Sequence, residues 1–308
     1  CYFRYLRAAF GSALISSVYS MVDMAMVGQY QGPDGTAALA VVAPVWNIIY
    51  SLGLLAGIGG CVLGSAAKGR GDERTKNEYF TAACICAGVL AAASWAAVLL
   101  WQTPMLRAFG ADGTLLSIAR QYLQPIRFAV PLFLINQMLA AWLRNDGAPG
   151  LATAAVLAGG VFNIFGDYAF VFLLDTGAWG AGLATALGAA ISFAVMLGHF
   201  FSKKNTLRLV RPARLAGKLR QIVTAGFSTF FIDIAMGLLT MLFNRQIMKY
   251  AGKDALAVYG IIVNISTFVQ CCAYSVGQAA QPMISGIVVL ACIFVSTSSP
   301  AKRGSNRR

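Results

Sequence analysis

The chain has 308 residues, of which 58% are hydrophobic and only 11% charged, with a net charge of +13 and a mean hydropathy of +0.68. Soluble domains are usually about 45–50% apolar and about 25% charged. The composition therefore excludes an ordinary soluble domain and indicates a membrane protein. Basic residues in short loops between apolar runs are typical of membrane topology, so the positive charge does not indicate nucleic-acid binding.

Eight apolar stretches are long enough to cross a bilayer, which takes about 20 mainly apolar residues per helix. They are roughly 8–30, 37–66, 79–101, 116–143, 151–174, 178–201, 221–247 and 255–280. We therefore predict an all-α fold, a polytopic transmembrane helical bundle. Glycine and alanine are dense within the stretches, and these small residues let membrane helices approach closely.

The longest polar connection, 202–220, separates six predicted spans from two. Most of the 24 lysine and arginine residues lie in this segment and in other loops on the same side of the predicted bundle. Two loops on the opposite side, 31–36 and 175–177, carry no lysine or arginine. The positive-inside rule then places the N-terminus in the cytoplasm. We interpret 202–220 as a basic cytoplasmic linker rather than as a binding site.

The last two spans look like a second copy of the first two. The motif Ala-Leu-Ala-Val at 38–41 recurs at 255–258, and the same offset pairs Asn47 with Asn264. Because six spans precede the copy, the two copies cross the membrane in the same direction. Transporters are commonly built from such repeats, with the binding site between them.

The spans and the repeat predict four units along the chain. They are a complete six-helix N-terminal lobe (1–201), the linker (202–220), a partial C-terminal lobe holding spans seven and eight (221–285), and an atypical tail (286–308). A second six-helix lobe would need four more spans, and the apolar run in the tail, about 14 residues, is short for one. We therefore expect the chain to be truncated or altered in reading frame after Ser285.

Three acidic residues lie within predicted spans: Asp23, Asp167 and Asp233. A charged aspartate at the centre of a membrane helix costs about 2.5–3.5 kcal/mol on insertion scales, so such residues normally face a polar interior and mark ion or proton pathways. The alternative is a carboxylate nearer the interface, or one paired for packing. For Asp233 the two interpretations stay balanced.

Two of these aspartates have polar neighbours at helical spacing. Asn163 and Asp167 are four residues apart and share a helix face, as do Tyr19 and Asp23. Thr185 adds a hydroxyl on the sixth span. Carboxylate, amide and hydroxyl oxygens suit a hard cation such as Na⁺, and two neighbouring carboxylates could instead share a proton. Spacing predicts the shared faces but does not predict that spans one, five and six meet.

Six short motifs follow one another in the order of the predicted spans. They are Val22-Asp23-Met24 with Gly28, Leu143–Pro149, Asn163–Asp167, Gly180–Thr185, Gly226 with Ser228 and Asp233, and Gly277-Gln278 through Gln281-Pro282. Together they resemble the multidrug and toxic compound extrusion (MATE) family of cation-coupled exporters, over roughly residues 8 to 285. At position 233 the chain has Asp where the family more often has Glu.

The resemblance implies a cation or proton site in the N-terminal lobe. Its residues would be Asp23, Asn163, Asp167 and Thr185, with Tyr19 beside them, and the first four could hold Na⁺. Asp233 would face the central cavity from the C-terminal lobe. Family members have twelve spans in two lobes, and the present chain has eight predicted spans.

The function that the resemblance implies is secondary active efflux of small amphipathic cationic compounds in exchange for H⁺ or Na⁺. It implies no enzyme activity, no cofactor beyond the coupling ion, no nucleic-acid partner, and residence among the lipids of a plasma membrane, expected to be a bacterial inner membrane. The alternatives are a lipid or polysaccharide exporter of the same superfamily and a transport-inactive fragment. An intramembrane aspartyl protease is a remote alternative, because residues 22 and 164 are Val and Ile, which breaks the Tyr-Asp and Gly-x-Gly-Asp signatures of that class.

Overall fold

The computed structural model describes residues 21–111 and 113–239, together with Gly11, Val18 and ten single positions beyond 239. Over these residues the chain is helical and forms no strand, which confirms the predicted all-α fold. The helices are α1 (residues 21–31), α2 (Pro33–Gly69), α3 (Glu73–Ala108), α4 (Gly113–Ile126), α5 (Val130–Asn145), α6 (Pro149–Asp167), α7 (Gly177–Leu197) and α8 (Leu215–Leu239). The predicted tail at 286–308, Tyr19 and most of the eighth predicted span lie outside the described residues.

Within the described part of the chain, five helices are long and apolar enough to cross a membrane. They are α2, α3, α6 with its extension to Leu173, α7 with its extension to Phe201, and α8. These helices coincide with predicted spans two, three, five, six and seven. The prediction of a polytopic transmembrane bundle is therefore confirmed.

The fourth predicted span, 116–143, was expected to be one helix, but the structure divides it into two. It consists of α4 and α5, which meet at an angle of 61° across residues 127–129. Pro131 lies in the first turn of α5 and has no N–H to donate to the carbonyl of Arg127, which its ring would also crowd. Together with Pro125 in the last turn of α4, it accounts for the bend.

Small residues bring α2 against its neighbours. A Cβ added to Gly64 would lie 2.6 Å from the indole of Trp142 on α5, whose side chain is fully buried. A Cβ added to Gly59 would overlap the backbone of Ile222, so α8 also packs directly on α2. Glycine is required at both positions because any side chain would push the helices apart.

The segment between α7 and α8 lies along the first turns of α3. Backbone amides of the segment donate to polar side chains of α3. The pairs are Arg208 to Asn77 Oδ1 (3.0 Å), Val210 to Thr81 Oγ1 (3.0 Å) and Ala213 to Glu78 Oε2 (3.3 Å). Side chains of the bundle thereby supply acceptors to three backbone amides of an irregular stretch.

The buried carboxylate of Asp146 and its neighbours anchor the start of this segment. We call Lys76, Asp146, His199 and Thr206 the loop-side cluster. Asp146 Oδ2 lies 2.9 Å from His199 Nε2 and accepts a 3.0 Å bond from the Thr206 amide, and Asp146 Oδ1 accepts from the Thr206 hydroxyl. The Lys76 ammonium donates to Thr206 Oγ1 at 2.7 Å. It also pairs with Glu73 Oε2 at 2.5 Å and lies 4.0 Å from Asp146 Oδ1. The cluster thus joins α3, the α5–α6 turn, the end of α7 and the following segment.

Candidate functional site

A buried aspartate on α1 is bonded to a tyrosine of α4. Asp23 is only 6% exposed, and the Tyr122 hydroxyl donates to its Oδ2 at 2.5 Å. Tyr122 is itself buried among Ala119, Leu123 and Ile126, the face by which α4 packs on the bundle. A buried phenol needs a hydrogen-bond partner, and here that partner is a carboxylate.

A second group of polar side chains lies where α6 meets α7. The Asn163 amide nitrogen lies 3.3 Å from Asp167 Oδ1 and 3.1 Å from Thr185 Oγ1. The Thr185 hydroxyl also bonds to the carbonyl of Ala181 at 3.0 Å. Asp167 is fully buried and Asn163 nearly so.

These two groups meet where α4 packs on α7. A Cβ added to Gly182, three residues before Thr185, would overlap the backbone carbonyl of Tyr122. The structure therefore brings together Asp23, Asn163, Asp167 and Thr185, which the sequence analysis named as candidates. We call these four residues and Tyr122 the membrane cluster.

Three oxygen atoms of the membrane cluster are buried without a hydrogen-bond partner among the described residues. They are Asp23 Oδ1, Asn163 Oδ1 and Asp167 Oδ2. Buried polar atoms normally have a partner, and leaving a carboxylate oxygen without one is costly. The arrangement can therefore accept a proton or a cation, which would supply the missing partner.

The chemistry of this site is that of oxygen ligands. No group of three or more His, Cys, Asp or Glu side chains comes together anywhere in the described ranges. A cation in the membrane cluster would thus be held by two carboxylates with amide and hydroxyl oxygens, a set that fits a hard ion such as Na⁺. A single proton shared between the carboxylates would also reduce their repulsion.

Two features of the site were missed by the sequence analysis. Tyr122 lies 99 residues from Asp23 along the chain, and the only available signal was a phenol on the apolar face of a span. The other feature is a π-helical turn, Tyr168–Leu173, that begins directly after Asp167. Such turns frequently occur at functional sites. The predicted role of Tyr19 stays a prediction, since that residue lies outside the described part.

Asp233 lies apart from these residues, on α8. It is half-buried, and its Oδ2 is 3.3 Å from the Ser51 hydroxyl of α2. The same hydroxyl lies 2.7 Å from the carbonyl of Asn47, so its one hydrogen can serve only one acceptor at a time. Asp233 therefore lies at the contact between α2 and α8, where the two predicted lobes meet.

Comparison with known proteins gives consistent matches. A family model described as MatE matches residues 8–169, more than half of the chain. The multidrug export protein MepA of Staphylococcus saprophyticus is 25% identical over 278 residues, which are 89% of this chain and 61% of that protein. MepA of Staphylococcus aureus is 24% identical over 277 residues, 88% of this chain and 60% of the relative. The chain thus spans about three fifths of the length of these curated relatives.

Solved structures match the fold. An outward-facing multidrug resistance MATE family transporter of the MOP superfamily superposes with a TM-score of 0.85 at 19% identity, covering 96% of this chain and 67% of that one. A mutant of the Vibrio cholerae MATE transporter VcmN gives a TM-score of 0.86 at 18% identity, covering 95% and 66%. At these identities the likeness is one of architecture.

Proposed function

Because the chain belongs to the MatE family, we propose that it acts in secondary active efflux, exporting amphipathic cationic compounds in exchange for H⁺ or Na⁺. The MepA relatives, named as multidrug export proteins, support drug export as the activity. In this proposal residues 1–201 form the N-terminal lobe, 202–220 the linker and 221–285 part of the second lobe. The protein would lie in a bacterial plasma membrane with its N-terminus in the cytoplasm.

The observation that carries the proposal is the set of three unpartnered buried oxygens in the membrane cluster. Two of them belong to carboxylates on different helices, Asp23 on α1 and Asp167 on α6. Two buried negative charges that repel each other are unfavourable in a membrane interior. A proton or Na⁺ entering between them removes that repulsion, so ion binding stabilises the arrangement in which α1 and α6 are close.

Coupling follows if ion and drug favour different arrangements of these helices. When the ion leaves, repulsion between Asp23 and Asp167 favours their separation, and Tyr122 moves with Asp23 or loses its bond. Exchange requires only that each ligand binds one arrangement better than the other. Asp233, at the contact between α2 and α8, would attract the cationic part of a substrate.

Dye efflux tests this proposal. In cells that lack their own exporters, the protein is expected to extrude a cationic dye such as ethidium. Asp23→Asn and Asp167→Asn should each reduce ion-driven efflux about tenfold or more. Asp175→Asn is the matched control, because Asp175 lies in the α6–α7 connection and bonds to Tyr30 rather than to the membrane cluster. Variants that extrude dye normally, with unchanged dependence on pH and Na⁺, would contradict the site assignment.

A further inference from the structure

A polar cavity lies between the end of α3 and the outer face of α4. Its volume is about 480 Å³, within the range of small-ligand pockets. Its polar lining comes from one residue of α3 and a stripe at helical spacing along α4 and the residue after it. These residues are Gln102, Ser117, Arg120, Gln121, Gln124 and Arg127.

The charge of the cavity is positive. Arg120 and Arg127 are seven residues apart, about two helical turns, and no acidic side chain lines the cavity among the described residues. Arg127 Nε is buried without a hydrogen-bond partner, and its guanidinium lies 4.9 Å from the ring centre of Phe128. A buried guanidinium N–H needs an acceptor, and the planar group matches phosphate or carboxylate oxygens.

The cavity opens away from the interior of the bundle. Tyr122 points inward to Asp23, and Gln124, two residues further on, is turned by about 200° around the helix axis. Large apolar side chains next in sequence to two lining residues are exposed: Phe128, after Arg127, is 62% exposed, and Trp101, before Gln102 on α3, is 57% exposed. A cationic polar cavity beside exposed apolar side chains fits an amphiphile.

The cavity also lies within reach of one membrane surface. At a rise of 1.5 Å per residue, Arg120 lies about 10 Å and Arg127 about 20 Å along the helix axis from the start of α4 at Gly113. Gln102 is 25 residues beyond Asn77, whose side chain contacts the 202–214 segment, so about 38 Å of helix separates them. The cavity is thus near the membrane face opposite that segment.

We propose that this cavity binds the headgroup of an anionic phospholipid, with the phosphate held by Arg120 and Arg127. The glutamine and serine side chains donate to the remaining headgroup oxygens, and the acyl chains lie along the exposed apolar residues of α3 and along Phe128. The site does not depend on the ion-coupled efflux proposed above, because it uses none of the residues of the membrane cluster.

Lipid titration followed by native mass spectrometry of the purified chain tests the proposal. Phosphatidylglycerol is expected to bind more tightly than phosphatidylcholine. The Arg120→Gln/Arg127→Gln double variant should weaken phosphatidylglycerol binding about tenfold or more, since it removes both guanidinium groups that hold the phosphate. Arg107→Gln, an exposed arginine at the end of α3 that does not line the cavity, is the control and should bind like the wild type.

Two further variants guard against a folding defect. Arg120→Lys/Arg127→Lys keeps the charge and should retain most of the lipid preference. Arg120→Gln alone changes an exposed side chain. It should weaken binding while the helical content, measured by circular dichroism, stays unchanged. Equal binding of phosphatidylglycerol by the wild type and by Arg120→Gln would overturn the proposal. So would equal affinity for the two lipids with full displacement by inorganic phosphate, which would indicate a site for a soluble anion.

Discussion

The loop-side cluster and the membrane cluster both bury charged side chains, but they differ in how those charges are satisfied. In the loop-side cluster, Asp146 is 1% exposed and accepts bonds through both oxygens, and Lys76 is equally enclosed. None of the buried side-chain atoms of these two residues or of His199 lacks a partner within the described chain. In the membrane cluster, three buried oxygens have none.

The difference indicates two roles for buried polar groups. Those of the loop-side cluster stabilise the fold, and those of the membrane cluster are proposed to bind a proton or an ion. A fully bonded buried network fixes the elements that contribute to it. In the membrane cluster the unpartnered acceptors are those that, in the function proposed above, a proton or an ion would complete. Substitutions that remove a charge should therefore lower stability much more in the loop-side cluster than in the membrane cluster.

Asp146→Ala should give the largest loss of stability. It removes the acceptor of three bonds, those from His199 Nε2, the Thr206 amide and the Thr206 hydroxyl, whereas Lys76 keeps its ion pair with Glu73. Each donor left without its partner costs about 1–3 kcal/mol, so we expect a loss of about 3–5 kcal/mol. The melting temperature of the detergent-solubilised chain measures the loss, and faster proteolysis in the 202–214 segment should accompany it. Asp34→Ala is the control. It removes an exposed aspartate in the first turn of α2 with one 3.4 Å bond from Thr114, so it should cost about 1 kcal/mol or less. A loss equal to that of Asp146→Ala would contradict the distinction.

Tyr122→Phe should have an intermediate effect. The substitution keeps the ring buried but removes the bond to Asp23, leaving both oxygens of that carboxylate unpartnered, and hydrogen bonds to charged groups contribute about 1.5–3 kcal/mol. The loss should shrink when saturating Na⁺ or low pH neutralises the carboxylate. Tyr79→Phe, which removes an exposed bond to Gln221, is the control. A loss independent of pH and Na⁺ would mean that the hydroxyl only packs.

Asp167→Asn should change stability little, or raise the melting temperature slightly. The amide has nearly the same shape as the carboxylate and removes one of two repelling charges, so we expect a change within about 1 kcal/mol, in contrast to the loss at Asp146. Thermal unfolding at neutral pH checks this expectation. A loss as large as that of Asp146→Ala would show that the Asp167 charge is structural.

Asp72 gives the smallest effect and serves as a baseline outside both clusters. Its side chain caps α3 by accepting a 2.9 Å bond from the Thr75 amide, and this bond lowers the pKa of the exposed carboxyl. Because the pKa of Asp72 is lower in the folded state, its charged form stabilises the protein at pH values above the ordinary pKa of aspartate. This stabilisation is lost as the pH falls through the pKa of the folded state. Asp72→Asn keeps a capping side chain but does not titrate. Its melting temperature should therefore follow that of the wild type at neutral pH and fall less steeply than that of the wild type in acid.

Much of the fold and four residues of the site could be predicted from the sequence, because both depend on local pattern. Apolar length identifies the spans, and a buried carboxylate is conspicuous in an apolar helix. The partner of Asp23 could not be predicted, since the direction in which Tyr122 points depends on how the proline bend rotates α4. The burial of Lys76 was equally hidden, because a basic residue in the first turn after a loop is expected to be solvated until Thr206 and Asp146 enclose it.

The 61° bend between α4 and α5 also has a mechanical consequence. A straight span would transmit any tilt at one end to the other as a stiff rod. Here α4 carries Tyr122, whereas α5 ends at Asn145, beside the bonded Asp146, and the joint between them lies at a proline that cannot complete the helical ladder. We therefore expect bending to be concentrated at residues 127–129, so that α4, which contacts Asp23, changes its tilt without displacing α5 from the loop-side cluster.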